Sequence, residues 1–454
     1  MNKVSSIAAG FYVLLALVPA YSVGAVTIDH VIHISVDGLR ADAVTALGMA
    51  NAPGFFRLRS EGAFTDNART DANYTNTLPN HTTMLSGRGV TGPTGHNYTS
   101  NGSPSSGTTL HTVKGSYVGS VFDIAHDAGL STGLYASKSK FVLFEQSYNA
   151  TTGALDVTGA DNGRDKIDGY VYNSDTDGLV AQYLTDMTAS AFNYSFLHLR
   201  NPDSAGHGSG WNISPGSTYL DAVMTVDDLL GDVLDHVESN ATLNGKTAIV
   251  LTADHGGILG SGTHSPPTDA ENYTIPFYVW GPGVDPGTDL YTLNLFSRVN
   301  PGSTQPAYSD TGQPIRNGDS GNLALDLLGL APIAGSTINA SQDLAVSAVP
   351  LPATLPLMLA GLLAVCRTGR RRQHRTAKYL AMSAAPPPKT IKFQACSVPA
   401  ARPRGKRPGS TSQPRPQAHP RARNYRSNRP GQNRDRRRLS QRSQRSSSPA
   451  RDYR

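Results

Sequence analysis

Between residues 28 and about 338, short β-rich apolar runs alternate with segments of helical period. Three runs stand out: His30 to Val36, Tyr194 to Leu199 and Thr247 to Thr252. Each is rich in branched or aromatic side chains, the composition that suits a pleated, packed surface. Each is followed by an acid: Asp37-Gly38 after the first, Asn201-Pro202-Asp203 after the second, Asp254-His255-Gly256-Gly257 after the third. From Thr218 to Val237 the period changes. Leu220, Val223, Val226, Leu229, Leu230 and Val233 fall on one helical face. Asp227, Asp228, Asp232 and Asp235 lie largely elsewhere and read as a solvated face. Residues 118–128 and 179–187 carry weaker helical patterns, and the Gly/Ser/Thr/Asn-rich stretch 89–107 reads as a loop. Strands alternating with helices predict an α/β domain. In an open parallel sheet, acids just past strand C-termini stand where ligands bind.

Charge divides the 454-residue chain into unlike parts. Residues 27–348 carry 14 Lys and Arg against 32 Asp and Glu, whereas residues 349–454 carry 25 against 2. The net charge of +6 therefore belongs to the tail, and the globular part has no nucleic-acid-type basic surface to predict. Both cysteines, Cys366 and Cys396, follow the globular part, so no disulfide framework holds it. At the N-terminus, Lys3, an apolar run from Ile7 to Val18 and the small residues Val23-Gly24-Ala25 form a signal-peptide pattern. That run is shorter than the ~20 residues of a membrane span. The expected organisation is a signal peptide over 1–25 and a catalytic domain over 26–348. A short apolar segment with an arginine cluster follows over 349–372, and then a disordered Pro/Arg/Ser-rich tail over 373–454.

Hydrolysing a phosphoester needs a nucleophile, neutralisation of phosphate charge and help for the leaving oxygen. Two metal ions held by Asp and His can supply the last two and activate the first. Asp203 and His207 are four apart, so both fit one face of a helical turn. Asp254 and His255 are adjacent at a strand end, and His264 follows in Gly262-Thr263-His264. Taken singly, each could be a capping Asp or a hydrogen-bonded surface His. Thr77 lies in Asn76-Thr77-Leu78-Pro79-Asn80-His81. Pro79 suits a helix start, which would put Thr77 at a helix N-terminus that favours a phosphate. A plain helix-capping Thr is the competing reading. Asp and His ligands suit zinc, and manganese or iron also fits.

Together, in this order, these motifs resemble the type I phosphodiesterase/nucleotide pyrophosphatase branch of the alkaline phosphatase superfamily over roughly residues 28–330. The resemblance implies an alkaline-phosphatase-like α/β fold, with a mostly parallel central sheet and helices on both faces. It implies two divalent ions, as zinc. Asp37, Thr77, Asp254 and His255 would hold one, and Asp203, His207 and His264 the other. Thr77 would attack phosphorus in line and form a phosphothreonine, with configuration retained overall. Asn101 is the positional match for the family's phosphate-binding Asn. Two aromatic walls of nucleotide-cleaving members are replaced here by Leu78 and His198. Base stacking, worth about 1–3 kcal/mol per base, would be lost with them. His198 would instead contact phosphate, support a ligand or serve structure. Arg88 and Arg200 are near enough in sequence to meet a monoester's extra charge. A phosphomonoesterase and a non-catalytic surface or matrix protein are the alternatives.

Val349-Pro350-Leu351-Pro352, the apolar run 355–366 and Arg367 to Arg372 resemble the C-terminal sorting signals read by exosortases of Gram-negative bacteria. The resemblance implies export to the periplasm, outer surface or extracellular matrix of such a bacterium. The membrane would be engaged through the apolar run before processing. The partners expected are a small phosphoester substrate and the sorting machinery. Nucleic acid is expected only through the basic tail.

Overall fold

A computed structural model describes residues 27–156 and 159–348. The expected signal peptide, the sorting signal with its apolar run, and the basic tail lie outside the described residues. Among the described residues no helix is long and apolar enough to cross a membrane.

Eight strands form one sheet. They are β1 (His30–Val36), β2 (Ala63–Arg69), β3 (Thr132–Ala136), β4 (Gly169–Tyr172), β5 (Tyr194–Leu199), β6 (Thr247–Thr252), β7 (Thr274–Trp280) and β8 (Thr288–Asp289). Their order is β4-β3-β5-β1-β6-β7-β2-β8. The first five are parallel to their neighbours, and β7 runs antiparallel to both β6 and β2. The fold is thus the α/β arrangement that the pattern predicted, built on the mostly parallel sheet that the resemblance implied. The three strands read from the apolar runs have the expected bounds and occupy neighbouring places, with Val36 beside Leu199 and Ser35 beside Thr252. Every position in β1, β5 and β6 is buried, as expected for parallel strands covered on both faces. Because the three are parallel neighbours, their C-terminal ends open on one edge, and the three acidic loops meet there.

Helices pack in two groups. One gathers on Thr218–Ser239 and includes Ala41–Leu47, Pro53–Glu61, Thr176–Ala189 and Asn201–Ser209. The other gathers on Asp319–Leu327 with Thr77–Ser86 and Val121–Asp127. Ser217 caps the long helix by accepting from the Leu220 N–H at 3.2 Å. The helical pattern at 118–128 becomes Val121–Asp127, capped by Ser120, and that at 179–187 becomes Thr176–Ala189. Residues 89–107 carry neither helix nor strand.

One part of the acidic face is not solvated. Asp227 is 2% exposed, and its carboxylate accepts from the N–H groups of Gly54 (3.0 Å) and Phe55 (2.7 Å). It closes the N-terminus of Pro53–Glu61, whose own cap residue, Ala52, offers no side-chain acceptor. Asp227→Ala orphans both donors and is expected to lower stability by about 1–2 kcal/mol. Urea unfolding of the full chain reads this, and an unchanged midpoint removes the assignment.

Candidate active site

The sheet edge assembles a buried cluster from three loops. Asp37 follows β1, Asp203 lies in the first turn of Asn201–Ser209 after β5, and Asp254-His255 follow β6. Gly38 has φ +70°, and a Cβ there would sit 2.8 Å from the Asp203 backbone. That close approach lets the first two loops touch, and the Gly38 N–H donates to Asp254 at 3.1 Å. Trp211 seals the underside: its indole N–H donates to the Gly38 carbonyl at 3.1 Å. A Cβ at Gly206 or Gly257 would come within 2.2 or 2.0 Å of its ring.

Two groups of ligand-type atoms converge: Asp37, Asp254 and His255, and Asp203, His255 and His264. His255 belongs to both. Its Nε2 is 3.2 Å from Asp254, 3.5 Å from Asp37 and 3.8 Å from Asp203. The His255 and His264 rings stack at 3.7 Å. His207 stands at the rim, with its side chain 48% exposed and its Nε2 3.4 Å from Asp203. Backbone carbonyls fix the far nitrogens: Gly262 for His207 (2.8 Å), Gly256 for His255 (2.8 Å) and Thr75 for His264 (2.5 Å). This arrangement, in which the second nitrogen of a ligating His is pinned, is the usual support for a metal-binding imidazole.

The donor set fits divalent cations. Asp37 Oδ1, Asp203 Oδ1, Asp254 Oδ2 and His255 Nε2 are buried without a hydrogen-bond partner among the described residues. Buried polar atoms left unsatisfied are costly, and here four of them point at one place. Three buried carboxylates share a single ammonium, Lys138, at 2.7 Å from Asp37 and 2.6 Å from Asp203. Burial opposes ionisation of Asp37, but Lys138 and the His198 hydrogen bond hold its carboxyl well below the usual range. Burial, with Asp37 beside it, pushes Asp254 well above that range. Burial also lowers the His255 imidazole to about 4 and the His264 imidazole, which faces His255, to about 3. Neutral imidazoles and unpaired carboxylate oxygens are what zinc-type sites require.

Thr77 is the first residue of the helix Thr77–Ser86, two residues before the start that Pro79 suggested. Asn76 makes no side-chain capping bond, and Thr77 Oγ1 makes no hydrogen bond among the described residues. The rest of the motif builds its seat. Asn80 holds the carbonyls of Tyr74 (2.9 Å) and Asn76 (3.1 Å) and accepts from the Asp71 N–H. His81 sits 2.7 Å from the Thr77 carbonyl, 2.8 Å from Ser35 Oγ and 3.7 Å from Asp254. Asn101 reaches this helix end from the loop: its Oδ1 accepts from the Leu78 N–H at 3.0 Å and from Lys140 at 3.3 Å. All eight singled-out residues thus lie along one edge, with His207 the most exposed.

His198 is fully buried, 2.8 Å from Asp37 through Nε2 and beside Ser137 through Nδ1, so it steadies the Asp37 carboxylate. Arg88 donates to the Ala334 carbonyl at 2.9 Å and is not among the residues lining the cavity beside Asp203 and His207. Lys138 and Lys140 went unread in the sequence. Their only signal was a Ser-Lys-Ser-Lys string at the end of β3, beside β5.

The structure is similar to inactive (T72A) murine ectonucleotide pyrophosphatase/phosphodiesterase 5 in complex with AMP. That match has 16% identity and a TM-score of 0.47, covering 70% of this chain and 99% of the other. It is also similar to the phosphonate monoester hydrolase of Silicibacter pomeroyi, at 16% identity and a TM-score of 0.44, covering 66% and 73%. A 90-residue stretch is 34% identical to GPI ethanolamine phosphate transferase 1 of Mus musculus, covering 20% of this chain and 9% of that protein. The family model for type I phosphodiesterase/nucleotide pyrophosphatase matches residues 31–265, just over half of the chain. The chain belongs to the type I phosphodiesterase/nucleotide pyrophosphatase family.

Proposed function

We propose that this protein is an exported hydrolase that cleaves phosphodiesters or pyrophosphates through Thr77, beside two divalent cations, as zinc. The observation that carries this is one helix N-terminus, bearing Thr77, set against two Asp/His groups with four orphaned buried atoms. Asp37, Thr77, Asp254 and His255 would hold one ion, and Asp203, His207 and His264 the other. Such ions supply charge neutralisation and a lowered pKa for the attacking hydroxyl. The chain's own groups do the rest. Thr77 Oγ1 bonds to phosphorus as the ester oxygen departs, and water later frees the threonine. First-turn N–H groups and Asn101 orient the phosphoryl oxygens. His81 and Asn80 keep the helix end from shifting under the substrate. The leader and the Val-Pro-Leu-Pro segment support export and exosortase sorting.

A specific observation favours a second reading. Lys140 stands at this edge with no carboxylate partner among the described residues, and an extra cation suits a phosphate monoester dianion better than a diester. Paired rates of the metal-restored full chain on bis-p-nitrophenyl phosphate and p-nitrophenyl phosphate decide between them. A diester preference is expected. A monoester preference that falls about tenfold in Lys140→Ala, the scale of one charge-assisted bond, establishes the second reading instead.

A further inference from the structure

A cavity of about 420 Å³ opens beside Asp203 and His207. Lys140, Arg200 and Tyr172 form its outer wall. Its volume lies within the ~300–1,000 Å³ of small-molecule sites, so it has room for much more than a phosphoryl group. Its cations are not equivalent. Lys138 is neutralised by Asp37 and Asp203. Lys140 and Arg200 ion-pair with no carboxylate among the described residues. Among the described residues Lys140 has only Asn101 for a partner, and Arg200 donates its Nε–H to Ser204 Oγ at 3.0 Å, leaving its two terminal nitrogens uncommitted there. Partial burial and the neighbouring Lys138 pull the Lys140 ammonium below its ordinary pKa, the sign of a cation lacking its counter-charge.

An Arg fork with free terminal nitrogens matches a carboxylate or phosphate in two-point contact. Resting on the phosphoester-hydrolase reading above, we propose that the substrate carries a second anionic group, on the organic substituent of its phosphoryl centre. Arg200 binds that group, Lys140 assists, and Tyr172 flanks the substituent. Arg200 is thus a specificity-determining residue, and neutral alcohols are poorer substituents than acidic ones. Its place one residue past β5 fixes it relative to Asp203, three positions further on.

The test uses the metal-restored full chain and two near-isosteric aryl phosphates, 4-carboxyphenyl and 4-carbamoylphenyl phosphate, with their methyl diesters. The ratio of kcat/KM between the charged and neutral substituents is measured for wild type, Arg200→Met and Arg200→Lys. Intrinsic leaving-group differences cancel when the ratios are compared across enzymes. Arg200→Met is expected to lower the ratio about tenfold, the scale of one charge-assisted hydrogen bond, and Arg200→Lys to restore part of it. The same ratio in all three enzymes overturns the proposal while leaving phosphoester hydrolysis intact. No turnover of any ester by wild type fails the hydrolase reading and this proposal with it. Should Arg200→Met not fold, wild-type product inhibition decides. 4-Hydroxybenzoate is expected to inhibit about tenfold more strongly than 4-hydroxybenzamide, and equal inhibition overturns the proposal.

Discussion

Thr77→Ala is expected to reduce turnover by about a thousandfold or more, the scale seen when a covalent nucleophile is removed. Bound metal should stay at the wild-type level. The side chain lost is small and makes no hydrogen bond among the described residues, so the fold has little to lose with it. Asp37, Asp254 and His255 keep their places because their supports lie elsewhere: His198 and Lys138 for Asp37, the Gly38 N–H for Asp254 and the Gly256 carbonyl for His255. Rate and metal content are therefore expected to separate in this variant. Residual activity within tenfold of wild type would place the nucleophile elsewhere, and a matching loss of metal would make Thr77 chiefly a ligand.

Metal content should respond unequally to two histidine replacements. His264→Ala removes one member of the Asp203, His255, His264 group and is expected to cost about one ion per chain, since a three-ligand site rarely survives losing one. His255→Ala removes a ligand of the ion shared with Thr77 and also the ring packed against His264 and beside Asp203, which would hold the other, so it is expected to cost both ions and all measurable turnover. Elemental analysis after gel filtration in metal-free buffer reads both. Equal losses in the two variants would show that the second ion does not depend on His255. The inequality follows from geometry, because the imidazole stands within 3.8 Å of carboxylates from all three loops.

Much of this edge could be read from the chain because strands and ligands coincide in sequence. In β1, β5 and β6 the apolar run ends where the strand ends, and the acid that follows is placed by the strand before it. Parallel pairing then brings Asp37, Asp203 and Asp254 together without further instruction. Lys138 could not be read that way. It follows β3, whose run Thr132-Gly133-Leu134-Tyr135-Ala136 is short and mixed, and its place depends on β3 lying beside β5. His198 stayed open between three roles for the opposite reason. Alternation along β5 does not show which polar side chain turns inward, and only the packing reveals that Asp37 receives it. Asp227 lay on the correct helix with an ordinary acidic neighbourhood. Nothing local announces that the helix Pro53–Glu61 brings its bare N-terminus there.

Trp211 ties the ligand loops to one rigid floor, and this has a consequence for how such an enzyme can diverge. Any side chain at Gly206 or Gly257 meets the indole, and any at Gly38 meets the Asp203 backbone. Single substitutions there disturb several ligands together, so inherited change in the floor is nearly closed. Tyr172, Lys140 and Arg200 line the cavity without touching these glycines, and can be exchanged one at a time. Lineages descended from such a scaffold would therefore differ in what they cleave long before they differ in how they cleave it.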